Sequence, residues 1–180
     1  MKYITLLLLA ALALPAHAVI VFGDSISAGP TSWPHYLKVD HGYHVAVEAM
    51  AGRSASNWEP PRDLLPISHG KVVYWLGTND SRSPLAILYS MAVKQHLHFL
   101  LTRGFEVVLV LPPVGDNPAL DTTYVRQEAL AQCRANQWFA QPIICADPED
   151  IGYSSGTFDG VHPTDDMSRQ LAAWIAGMLQ

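Results

Sequence analysis

Short apolar runs alternate with longer helix-compatible stretches along this chain, and that alternation constrains the fold more than any single residue. Val19–Phe22, Tyr43–Met50, Lys71–Leu76, Phe105–Leu111 and Pro142–Ala146 read as strands. Between them lie roughly 11 to 30 residues that a helix can accommodate, which is the spacing of βαβ units, so the expectation is an α/β fold with a parallel sheet.

Helix punctuation supports the same reading. After the third strand, Ser83 is placed to cap a helix, Pro84 to open it, and Gly104 to end it just after Arg103. The segment Asp121–Phe139 begins with an Asp cap, and Thr164 opens a last helix whose Leu171, Trp174, Ile175 and Met178 recur at helical spacing. Such stripes are core faces. No internal repeat, low-complexity tract or Gly/Ser linker divides the chain.

The first eighteen residues stand apart: Lys2, the apolar run Ile4–Leu14 and Ala16-His17-Ala18 have the pattern of a secretory signal peptide. The run is shorter than the about 20 apolar residues that span a bilayer. The expectation is therefore cleavage after Ala18, a single domain over 19–180 with no transmembrane segment left, and export to the periplasm or beyond. A domain of that size buries about two-thirds of its unfolded surface and needs no metal or disulfide staple. The net charge of −5 and the lack of a basic stripe argue against nucleic acid as a partner.

Cys133 and Cys145 are the only two cysteines. An oxidising compartment would let them pair. One falls in a predicted helix and the other in the next strand, so a disulfide and a pair of small buried apolar side chains both remain open.

Chemistry concentrates where strands end. Gly23-Asp24-Ser25-Ile26-Ser27 follows the first strand, and a serine there has its hydroxyl at the crevice where open α/β sheets carry their sites. Ser25 is thus a candidate nucleophile, although a serine after a strand is more often a cap or turn former than a catalyst. Asp159-Gly160-Val161-His162-Pro163 precedes the last helix and supplies a base with its orienting group. Three residues apart in a turn, the Asp159 carboxylate can hold Nδ1 of His162 and leave Nε2 to face Ser25.

An oxyanion needs donors. Asn79, in Gly77-Thr78-Asn79-Asp80 after the third strand, can offer its side-chain amide beside Ser25. Gly52, in Ala51-Gly52-Arg53-Ser54 after the second strand, can bring its backbone N–H close for want of a side chain. With the N–H of Ser25 these would form a three-donor oxyanion hole. Each of these residues alone has an ordinary turn-forming explanation; four loops at one end of a sheet are better explained jointly.

With these residues in this order the chain resembles the SGNH hydrolases, the lipase and esterase superfamily with a Gly-Asp-Ser first block. Ser25 stands in the first block, Gly52 in the second, Asn79 in the third, and Asp159 with His162 in the last, over residues 19–179. The resemblance implies a flavodoxin-like three-layer α/β/α fold with five parallel strands in the order 2-1-3-4-5. It also implies Ser25, Asp159 and His162 as catalytic residues and Ser25, Gly52 and Asn79 as the oxyanion hole. One departure is Thr78, where secreted thioesterase-like members often have Gly before the Asn; it leaves the oxyanion role intact and bears on the pocket.

Competing chemistries fit less well. The nucleophile elbow Gly-x-Ser-x-Gly would need Gly at position 27, which is Ser27. A phosphate-binding loop would want several hydroxyls and glycines about one anion. Among eight histidines, His96 and His98 are two apart on a helix and point to different sides, and His41 and His44 lack any ligand frame, so these read as surface histidines and no metal or other cofactor is expected.

The expected function is serine-dependent hydrolysis of carboxylic esters. Candidate pocket walls are Trp33, Trp58, the Pro112–Pro118 loop and Tyr153–Phe158. The chain has no long insertion to serve as a lid, which suits small-molecule esters or thioesters with short to medium acyl groups. Ala51-Gly52-Arg53-Ser54 looks like the second block of carbohydrate deacetylases, so a carbohydrate O-acetylesterase acting on acylated glycan is the alternative, with acylated lipid a further substrate class. The alternative of another class is an inactive carbohydrate-binding or envelope-interaction module.

Overall fold

The computed structural model describes residues 18–60, 70–82, 86–114, 117, 120–136 and 143–180. Residues 1–17 of the expected leader, and the expected helix-start residues Ser83 and Pro84, lie outside them. Five strands, β1 (Ala18–Gly23), β2 (His44–Ala49), β3 (Lys71–Trp75), β4 (Glu106–Val110) and β5 (Ile144–Ala146), form one parallel sheet. Its order is β2-β1-β3-β4-β5, as the resemblance implied.

The central strands are continuous apolar runs because both faces of the sheet are covered. Val19, Val21, Val73, Trp75, Val108 and Val110 pack to one side with helices α1 (Trp33–Val39) and α4 (Asp165–Met178). Ile20, Phe22, Val72, Tyr74, Val107 and Leu109 pack to the other with α2 (Ala86–Thr102) and α3 (Thr123–Ala135). Alternate side chains of one strand thus serve two cores, and the result is three layers. Edge strands β2 and β5 are more exposed.

Helix ends follow local chemistry. Thr164 Oγ1 accepts from Met167 N at 3.3 Å, and Asp165 and Asp166 fill the first turn of α4, where the helix dipole favours negative charge. At α3 the expected cap is displaced by one residue. Thr122 occupies the cap position but donates its hydroxyl to Pro113 O at 2.6 Å, while Asp121 accepts from Thr123 N at 3.0 Å from one position further out. That helix ends at Ala135, and the expected end at Phe139 lies outside the described residues.

Cys133 and Cys145 are bonded, with Cα atoms 6.0 Å apart, which resolves the open alternative in favour of a bridge between α3 and β5. Among the described residues, no helix is long and apolar enough to cross a membrane.

Candidate active site

The chain runs from β1 out to edge strand β2 and returns to β3 on the other side of β1, so the order reverses between β1 and β3, the switch point beyond whose carboxyl ends open α/β sheets carry their crevice. Ser25 lies two residues past the end of β1, and Asn79 four past the end of β3, on strands paired as far as Gly23 and Trp75.

The serine turn is held from both sides. Asp24 accepts at its carbonyl from Ser27 N and Ala28 N, and at Oδ1 from Ile26 N at 3.0 Å. Gly23 is required by packing: a Cβ there would sit 2.5 Å from Ser27 Cβ and Oγ. Ser27 Oγ in turn accepts from Trp33 Nε1 at 3.1 Å. Trp33 was expected to line the pocket; it is fully buried against Trp75 and instead supports the turn from below.

The loop before α4 brings His162 to Ser25. His162 Nε2 is 2.8 Å from Ser25 Oγ, and His162 Nδ1 is 2.7 Å from Asp159 Oδ2. A carboxylate only accepts, so Nδ1 carries the proton and Nε2 presents its lone pair to the hydroxyl. Asp159 Oδ1 accepts from Val161 N at 3.0 Å and His162 N at 2.7 Å, and Tyr153, fully buried, donates to Val161 O at 2.6 Å. Partial desolvation pushes the Asp159 carboxyl up, but the bonds from His162 and Val161 outweigh it and hold it below its ordinary value.

The two remaining loops are tied together. Asn79 Nδ2 donates to Arg53 O at 3.0 Å, a bond that uses one of its two N–H groups. Buried Asp80 accepts from Ala55 N at 2.8 Å and Ser56 N at 2.9 Å, so the Asn79 and Gly52 loops are clamped by adjacent side chains. Gly52 has a φ of 77°, and a Cβ there would meet nothing within 4 Å; glycine is needed for its backbone conformation rather than for clearance. At Gly77 both demands apply, with a φ of 129° and a Cβ only 2.7 Å from Pro112 Cγ.

Asp24 was not singled out for its own chemistry. Its side chain is fully buried, and burial raises its pKa to about 6, against the lowering effects of the Ile26 N–H and the Thr78 hydroxyl. Thr78 Oγ1 lies beside it, yet neither that oxygen nor Asp24 Oδ2 completes a hydrogen bond of good geometry. Thr78 itself is buried.

The histidines divide. His35, His41, His44 and His98 are exposed as expected, but His96 is buried. It lies on the inner face of α2, 2.8 Å from Tyr74 OH at Nδ1 and edge-on to Trp58, and desolvation lowers its pKa to about 4. Trp58 packs between His96, Phe22 and the Arg53 guanidinium, so it supports the Gly52 loop more than it faces solvent. Among the described residues, no group of three His, Cys, Asp or Glu side chains is arranged to hold a metal. Among the expected walls, Phe158 is exposed, at 70%.

No protein-family model matches the sequence, and no curated protein matches it. Solved structures do share the fold. The acetyl xylan esterase AlAXEase is 16% identical, aligns over 91% of this chain and 100% of its own, and superposes with a TM-score of 0.69. A GDSL-like lipase from Bacteroides thetaiotaomicron is 19% identical over 94% of this chain and 92% of its own, with a TM-score of 0.70. A carbohydrate esterase family 3 protein from Talaromyces cellulolyticus is 18% identical over 90% of this chain and 95% of its own, with a TM-score of 0.67.

Proposed function

We propose that this protein is an SGNH-type serine esterase that hydrolyses carboxylic esters or thioesters with short to medium acyl groups. The observation that carries the reading is the relay Ser25 Oγ, His162 Nε2, His162 Nδ1, Asp159 Oδ2, with gaps of 2.8 and 2.7 Å. Those are the distances at which a hydroxyl proton passes to a neutral imidazole held in one tautomer.

Ser25 Oγ attacks the substrate carbonyl carbon as His162 Nε2 takes its proton. The carbonyl oxygen becomes negative and is met by the N–H groups of Ser25 and Gly52 and by the Asn79 amide. The tetrahedral intermediate collapses, the C–O bond to the alcohol (or C–S bond to the thiol) breaks, and His162 Nε2 returns the proton to the leaving group. Water, deprotonated by the same nitrogen, then cleaves the acyl-serine and regenerates the hydroxyl. Asp159 stays ionised throughout, favoured by its lowered pKa, and stabilises the imidazolium.

Export of a single domain over 19–180 accompanies this reading, and the Cys133–Cys145 bridge supports it, because such bonds persist in oxidising compartments. The second reading is removal of O-acetyl groups from glycans. It is favoured by the Ala51-Gly52-Arg53-Ser54 block and by fold neighbours described as acetyl xylan esterase and carbohydrate esterase.

The test is turnover of p-nitrophenyl esters from acetate to palmitate, beside acetylated xylan, peptidoglycan and an acyl-thioester, for the wild type, Ser25→Ala and His162→Ala. Activity on the short esters that vanishes in both variants is expected. Full activity in either variant rejects the mechanism. No simple-ester activity with acetate released from a glycan selects the second reading. Inactivity on every substrate, with retention on a glycan column and no labelling of Ser25 by an organophosphonate, selects a binding module.

A further inference from the structure

Phe158 is tied to the proposed base by both backbone and ring. Its N–H donates to His162 O at 3.0 Å, and its ring stacks on the imidazole with centroids 5.9 Å apart and planes 22° from parallel. The bridge between Thr157 and Pro163 closes the same small loop. The backbone of Phe158 is held in this loop and its ring rests against the imidazole, yet the residue is 70% exposed. An aromatic side chain on a held backbone and open to solvent has only two χ angles to order, so it can receive a ligand at low cost in conformational entropy.

The reaction dictates which part of a substrate comes to it. Leaving-group expulsion requires the alcohol oxygen to lie against His162 Nε2, while the carbonyl oxygen points to Gly52 and Asn79. The group flanking the imidazole therefore flanks the alcohol, and the acyl chain extends elsewhere.

We propose that Phe158 is a specificity-determining residue of the leaving-group subsite, where its open ring takes alcohols that carry a flat ring face, aryl or pyranose. This rests on the ester-hydrolase reading above. Stacking of one ring on another contributes about two- to tenfold in affinity, so the preference is for a class of alcohol and not for one compound.

The experiment compares kcat/KM for two matched pairs of acetates in the wild type, Phe158→Ala, Phe158→Leu and Phe158→Trp. Phenyl acetate is paired with a fluoroalkyl acetate of equal leaving-group acidity, and an O-acetylated methyl xyloside with an acetylated acyclic polyol. In Phe158→Ala and Phe158→Leu the ring-to-open-chain ratio should fall about two- to tenfold, mainly through KM, and Phe158→Trp should restore it. A fall confined to the first pair assigns aryl alcohols, and one confined to the second assigns pyranoses. A phenyl ester series of rising acyl length should keep the shape of its profile. An active wild type whose ratio does not move in Phe158→Ala, or a variant that reshapes only the acyl profile, overturns the assignment alone. A wild type inactive on every ester overturns the parent reading with it.

Discussion

His162 meets Asp159 twice: its backbone N–H lies 2.7 Å from Oδ1 and its ring Nδ1 lies 2.7 Å from Oδ2. One carboxylate therefore sets both the turn that carries the imidazole and the tautomer that leaves Nε2 free to accept. Asp159→Asn separates the two roles, because an amide oxygen can still accept from the backbone while its NH2 forces Nδ1 to accept and Nε2 to carry the proton. The expected outcome is a loss of about 10³- to 10⁴-fold in kcat with the thermal midpoint little changed. Asp159→Ala should lose the turn as well and show a lowered midpoint in calorimetry. Activity of Asp159→Asn within tenfold of the wild type would remove Asp159 from the relay.

The same carboxylate illustrates what the sequence makes legible. Spacing alone puts Asp159 and His162 within reach on one turn, because that depends on local backbone geometry, and the apolar runs give a parallel α/β sheet; the strand order that sets Ser25 opposite them comes only from the family resemblance. The disulfide was open because pairing depends on how α3 lies across β5, a tertiary distance. The sequence does not show that His96 is buried, because its neighbours Tyr74 and Trp58 come from a strand and a loop far away in sequence. Asp80 stood beside Asn79 in plain view, but its partners Ala55 and Ser56 could not be named without the fold.

Asp24 predicts a pH dependence of stability. Its folded pKa of about 6 is raised from 3.8 by burial, so the folded state binds a proton that the unfolded state has released between those values. The contribution is fully present below pH 4 and is lost as pH rises through about 6, amounting to about 3 kcal/mol on the linkage relation. Asp24→Asn keeps an acceptor for Ile26 N and places a donor toward Thr78, with no charge to bury. Melting curves between pH 4 and 8 should show this variant gaining on the wild type as pH rises. Parallel curves for the two proteins would contradict the assignment.

The Cys133–Cys145 bridge closes a loop of 12 residues in sequence separation, for which the chain-entropy model gives about 3 kcal/mol. For a domain of this size that corresponds to a fall on the order of 10 °C in thermal midpoint on reduction. Differential scanning calorimetry with and without a thiol reductant measures it, and the double variant Cys133→Ala/Cys145→Ala should match the reduced protein. Because the bridge lies at β5 and not at the serine turn, residual activity below the new midpoint should retain the wild-type KM. A changed KM would mean that edge strand β5 controls the site.

Asn79 offers one N–H to Arg53 O at 3.0 Å and so braces the Gly52 loop, while an amide nitrogen carries a second N–H that this bond does not use. Its neighbour Asp80 holds Ala55 N and Ser56 N from the same 3₁₀ turn. If the amide acts on the oxyanion, Asn79→Ala should lower kcat about 10²- to 10³-fold, equivalent to roughly 3 to 4 kcal/mol of transition-state stabilisation, with KM nearly constant. If it serves only as a brace, the loss should appear in stability and be shared by Asp80→Asn, which weakens the clamp without touching the oxyanion. Steady-state kinetics and melting of the two variants side by side separate these roles, because a donor aimed at developing charge affects kcat, whereas a strut affects the thermal midpoint.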